Sequence, residues 1–113
     1  MKNSGPIKPY IASFSGDLNK RLNVVYDIIK SHFPQATETF AYQMPTLKGK
    51  RNLIHFAGYA NHIGIYPGPQ GITYLRTILS DAITSKGAWK ILHSQALPEN
   101  ALKKLCLWIQ KQT

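Results

Sequence analysis

Apolar and polar positions follow two different periods along this chain, and the change between them divides it into elements. Leu18, Leu22, Val25 and Ile29 recur at helical spacing and lead to Phe33, while Lys20, Asn23, Asp27 and Lys30 fall on the opposite side. This predicts an amphipathic helix with Asp17 as its N-cap and Pro34 just past its end. Ahead of it, Tyr10–Phe14 forms one helical turn, and residues 1–8 read as a loose leader before a single domain over 9–113. From Thr39 the period is two: Phe40, Tyr42 and Met44 point one way and Thr39, Ala41 and Gln43 the other, in a strand that Pro45 ends or bends. Lys48-Gly49-Lys50-Arg51 is a positively charged turn. Asn52–Tyr59 and His62–Tyr66 read as strands joined by Ala60-Asn61. Gly68-Pro69 opens a helix striped by Ile72, Leu75 and Leu79. Ser85-Lys86-Gly87 is a loop, Trp89–His93 a short strand, and Pro98 opens a last helix striped by Leu102, Leu105 and Ile109. The order helix, strands, helix, strand, helix predicts an α+β fold: two layers, with helices packed on one face of a mainly antiparallel sheet.

The hairpin makes a sharper prediction. If Tyr59 pairs with His62, paired residue numbers sum to 121, so Ala57 opposes Gly64 and His55 opposes Tyr66. All six side chains then share one face. Ile54, Phe56, Ile63 and Ile65 share the other and read as core. On the first face, His and Tyr surround an Ala–Gly pair that has almost no bulk. That face is either an aromatic-rimmed trough for a ligand or partner, or a surface covered by a helix or left in water, with Gly64 admitting a close neighbour.

Composition narrows the chemistry. The chain has 14 Lys and Arg against 5 Asp and Glu, a net charge of +9, and 43% hydrophobic residues, enough for one core. A single Cys excludes a disulfide scaffold and a thiolate zinc site. The hairpin register separates His55 and His62 by roughly 13 Å, too far for one metal, and no His-x-x-x-His pair or carboxylate triad exists. No metal site, cofactor or catalytic constellation is therefore assembled, and an enzyme is the least favoured class. Cys106, between Leu105 and Leu107, reads as a small packed residue. The positive residues are dispersed except at 48–51, which suits weak, salt-sensitive polyanion binding rather than specific nucleic-acid recognition. No apolar run reaches the length of a membrane span or a signal peptide, so a cytoplasmic protein without a membrane partner is the expectation.

Three groups of residues in order carry a resemblance: Tyr42-Gln43-Met44-Pro45, then Asn61-His62-Ile63-Gly64-Ile65-Tyr66-Pro67-Gly68-Pro69, then Thr84-Ser85-Lys86-Gly87. With Tyr10-Ile11-Ala12-Ser13-Phe14 and Leu97-Pro98, they resemble the YdhG-like domain family over about residues 8–112. The resemblance implies a compact α+β domain similar to the frataxin layout, and iron is a partner by family resemblance because some members are described as iron chaperones. Hard iron requires oxygen ligands. Here Asp17 and Asp27 stand about 15 Å apart on a helix, and Glu38, Asp81 and Glu99 are scattered. The first expectation is accordingly a non-enzymatic module that binds a small ligand, anions included, or a protein through Tyr42, Tyr59, His62, Tyr66, Ser85 and Lys86. The second is a frataxin-like iron chaperone, and the third a weak polyanion binder. An aromatic face of this kind would also suit a homodimer.

Overall fold

The period-two segments build one sheet, and the helical stripes close over one side of it. The computed structural model describes residues 5–113. In chain order the elements are α1 (Ile7–Ala12), α2 (Gly16–His32), β1 (Thr37–Ala41), β2 (Met44–Lys48), β3 (Asn52–Gly58), β4 (His62–Tyr66), α3 (Pro69–Ile78), β5 (Ile83–Ser85), β6 (Ala88–Leu92) and α4 (Glu99–Gln112). The strands form a six-stranded sheet in the order β1-β2-β3-β4-β6-β5, with every neighbouring pair antiparallel. Sequential hairpins explain the first four positions. The chain then leaves through α3, returns at the far edge as β5, and turns back as β6 beside β4.

Strand alternation sorts the side chains. Leu47, Ile54, Phe56, Ile63, Ile65, Trp89 and Ile91 share one face, each no more than 2% exposed. The buried residues of all four helices join them in one hydrophobic cluster, so the helices form a single layer on that side. The β3–β4 register is the expected one: His55 opposes Tyr66, Phe56 opposes Ile65, Ala57 opposes Gly64 and Gly58 opposes Ile63. Gly58 lies on the helix side, where an added Cβ would come 2.9 Å from Leu22 Cδ1.

Several local expectations are corrected. Tyr42 and Gln43 are not strand residues; with φ of 55° and 63° they are the two central residues of a tight turn joining β1 to β2. Pro45 does not end a strand but lies within β2, opposite Phe40. The β2–β3 pairing begins only at Thr46, so the residue without an N–H precedes that ladder. The N-cap of α2 is Ser15, in extended backbone, and Asp17 sits in the first turn, where its charge favours the helix dipole. Ser85 belongs to β5 rather than to a loop, and only Lys86 and Gly87 form the turn.

Ile7 and Lys8, expected in the leader, belong to α1. Ile7 begins α1 and is fully buried. The Lys8 ammonium lies 5.2 Å from the Tyr26 ring centroid and donates to Asn23 Oδ1 at 3.4 Å. Residues 1–4 lie outside the described residues. The anchor of α1 is Glu38, whose side chain is only 6% exposed. Its carboxylate accepts from the Ile7 amide at 3.3 Å and from the Tyr26 hydroxyl, and Lys30 Nζ lies 3.7 Å away.

Candidate functional site on the open face of the sheet

The side of the sheet opposite the helices carries the other half of every strand's alternation. No described helix packs on it. Its centre is made by Gly64. Without a side chain at that position, the Tyr66 ring lies along β4 over the glycine; a Cβ there would stand 2.6 Å from Tyr66 Cζ. A tyrosine over a larger neighbour would have to stand upright. The hydroxyl end of Tyr66 reaches across the glycine and donates to the Tyr59 hydroxyl at 3.3 Å. Tyr59 in turn stacks on His62, with centroids 4.8 Å apart and an interplanar angle of 23°.

Neighbouring groups hold this arrangement. Tyr59 directly follows β3, and its N–H donates to His62 O at 2.9 Å, closing the loop at Ala60-Asn61. Beyond β4, the His93 amide donates to Asn61 O at 3.1 Å and His93 Nε2 donates to Tyr59 O at 2.7 Å. A carbonyl can only accept, so Nε2 carries the proton. On the other side, the Thr46 hydroxyl donates to Met44 O at 2.9 Å and therefore accepts from His55 Nδ1 at 2.7 Å. In the neutral ring, His55 Nε2 is left as a lone-pair acceptor. The Tyr42 ring stands edge-on to His55 at 5.5 Å between centroids.

Charge on this face is positive. Lys90 of β6 is directly opposite Gly64 and Leu92 opposite His62. Burial lowers the His62 pKa, and the charges of Lys90 and His93 lower it further; burial alone lowers that of His55. Burial raises the Tyr66 pKa, and the hydrogen bond to Tyr59 raises it further, so the hydroxyl stays protonated as a donor. The lowered values keep the His55 and His62 rings neutral at neutral pH.

Two grooves meet at Tyr66. One, of about 270 Å³, is lined by His62, Gly64 and Tyr66 on β4, by Ile83 and Ser85 on β5, and by Lys90 on β6. The other, of about 280 Å³, runs from Tyr66 past His55 to Tyr42. A larger hollow of about 460 Å³ lies near the start of α3 and the end of α4, but Arg51 is its one charged side chain. The open face is the richer in rings and titratable groups.

The candidate residues thus fall into place unequally. His62, Tyr66 and Ser85 line one groove, and Tyr59 stacks on its rim. Tyr42 lines the other groove and is 80% exposed. Lys86 sits in the β5–β6 turn and lines neither groove; Lys90 is the ammonium that does. Sequence reasoning missed Lys90, Ile83 and the Thr46–His55 bond. The alternation through Trp89 placed Lys90 away from the core, but its position beside Gly64 depends on the crossover through α3.

Iron finds no ready ligand set. Among the described residues no three of His, Cys, Asp and Glu gather. Glu38 is held by Tyr26, the Ile7 amide and Lys30. The Cys106 thiol is fully buried, and burial pushes its pKa up to about 12, which suits packing rather than nucleophilic attack.

The architecture defines a class: an α+β domain of two layers, a six-stranded antiparallel sheet with helices on one side and, on the other, a face that no described helix covers. A solved example of this fold is YdhG of Bacillus subtilis, a protein of the DUF1801 family. It superposes with a TM-score of 0.81 at 14% identity, covering 94% of this chain and 89% of its own. The likeness establishes the shared fold and bears out, at that level, the resemblance carried by the motifs. No family model and no curated protein matches the sequence. None of the described helices is long and apolar enough to cross a membrane.

Proposed function

We propose that this domain is a non-catalytic binding module whose open sheet face takes a small anion bearing a planar ring. The observation that carries the reading is the Tyr66 ring laid over Gly64, beside the Tyr59–His62 stack and facing Lys90. A ring stacks on such a surface, and the ammonium of Lys90 meets a carboxylate or phosphate at its edge. His62 and Ser85 supply hydrogen bonds from either side of the groove. The volume of about 270 Å³ fits a single ring system with one charged group.

Calorimetry with benzoate and with thymidine 5′-monophosphate tests the reading. The expected result is saturable binding of at least one probe, weakened about tenfold or more by His62→Ala and by Lys90→Gln. Absence of binding by both probes, or binding that neither substitution changes, would overturn it. Lys86→Gln, outside the groove, is expected to leave the affinity within about twofold.

A further inference from the structure

We infer that the open face is a platform for a single strand of nucleic acid, with bases laid on its rings and phosphates on its lysines. This rests on the planar-anion reading and extends it from one ring to several. The rings form two contacting groups on the face, Tyr66 with Tyr59 and His62, and Tyr42 with His55. The Tyr59–His62 stack lies at the β3–β4 hairpin end, the Tyr66 ring reaches over Gly64 towards it, and Tyr42 lines the second groove. Tyr66 stands between the two grooves, and their lining residues together reach from Tyr42 in the β1–β2 turn to Ile83 and Ser85 on β5. From β2 to β5 the sheet is roughly 19 Å wide at ~4.8 Å between strands, room for several nucleotides.

Charge complementarity selects the occupant. None of the residues that the register places on this face is Asp or Glu. Asp17 and Asp27 lie on α2, Glu99 on α4, Glu38 on the helix side of β1, and Asp81 ahead of β5. Lys90 lies at the centre of the face, Lys48 at the end of β2, and Lys50, Arg51 and Lys86 in the turns at its margin. A second copy of the chain would set lysine against lysine. Duplex nucleic acid hides its base faces, so the rings would have nothing to stack on.

The test is fluorescence anisotropy with labelled oligothymidylates, from the mononucleotide to about a dozen residues, between about 20 and 200 mM salt. Affinity is expected to rise with length and level off near four to eight nucleotides, within the usual range of site sizes. With three to five lysines and arginines engaged, the slope of log affinity against log salt is expected near −2 to −3.5, at about 0.7 for each phosphate neutralised. Tyr42→Asn removes an exposed ring at a left-handed backbone position that Asn tolerates. It and Tyr59→Leu should each weaken the longest oligomer about 5- to 100-fold, the loss of one stacked base. Lys90→Gln should lower the slope by about 0.7. The pair Lys103→Gln and Lys104→Gln, exposed on α4, removes more charge from the helix side and should change neither.

If the longest oligomer binds no more tightly than thymidine 5′-monophosphate, this inference falls while the planar-anion reading stands. If neither binds, the platform falls, and the planar-anion reading falls with it when benzoate also fails to bind. Equal affinity for a duplex, indifference to Tyr42→Asn with Tyr59→Leu, or an equal loss from the α4 pair would each overturn the platform.

Discussion

On β3 and β4, Phe56 pairs with Ile65 beneath the helices, while His55 pairs with Tyr66 on the side that no described helix covers. The same two strands therefore meet two different demands. Beneath the helices the requirement is volume, and branched aliphatic and aromatic residues meet it at near-zero exposure. On the open side the residues interlock among themselves: Tyr66 with Gly64 and Tyr59, Tyr59 with His62, and His55 with Thr46 and Tyr42. Packing accounts fully for the first face. It leaves the second with exposed Tyr42 and Tyr59 rings and a central lysine, groups suited to meeting a ligand.

The contrast breaks most easily at its largest effect. Phe56→Ala should cost about 3–5 kcal/mol in chemical denaturation, because the ring is fully buried and the layers cannot close over the gap. Tyr42→Asn on the other face should cost less than about 0.5 kcal/mol. Comparable losses at both sites would show that the open face is structural after all. Next, Glu38→Ala should cost about 2–3 kcal/mol, since Tyr26 and the Ile7 amide lose their acceptor. Glu38→Gln, which keeps an oxygen, should cost less.

A smaller effect tests the open face itself. Gly64→Val places side-chain atoms where the Tyr66 ring lies, and should destabilise by about 1–3 kcal/mol. Combined with Tyr66→Ala, it should cost clearly less than the sum of the two single changes, because the clash disappears with the ring. Additive losses would mean that the ring does not rest on the glycine.

The smallest effect is in pH. His55 and His62 both have lowered pKa values in the folded protein. As pH falls through the ordinary histidine value near 6.5, the unfolded chain takes up protons before the folded one. Their contribution is therefore full above that pH and is lost below it, until the folded-state values are passed. Thermal melts at about pH 7.5 and 5.5 should show a larger drop for the wild type than for a His55→Gln/His62→Gln variant. Equal drops would remove these two side chains as the cause.

Much of this arrangement was legible in the sequence because alternation and turn chemistry act locally. The two-residue loop between Tyr59 and His62 sets the β3–β4 register, and with it both faces. The α2 stripe was legible for the same reason: Leu22, Val25 and Ile29 are all fully buried. Tyr42 misled because a bulky residue with φ of 55° is uncommon, and its alternation with Phe40 and Met44 continued through the turn. Ile7 and Lys8 were hidden beside Gly5 and Pro6, since their anchors, Glu38, Asn23 and Tyr26, lie far along the chain. Lys90 was missed as a groove residue for a topological reason. Strand order across the sheet depends on where α3 delivers the chain, and no local pattern records that.

The central claim is that ligands meet the bare face of the sheet and not the helical layer. Backbone amide chemical-shift mapping during titration with thymidine 5′-monophosphate tests it most directly. The account predicts that the largest shifts fall on Tyr59, His62, Gly64, Tyr66 and Lys90, with α2 and α4 unmoved. Shifts concentrated on α2 or α4, or none at all at saturating ligand, would contradict it.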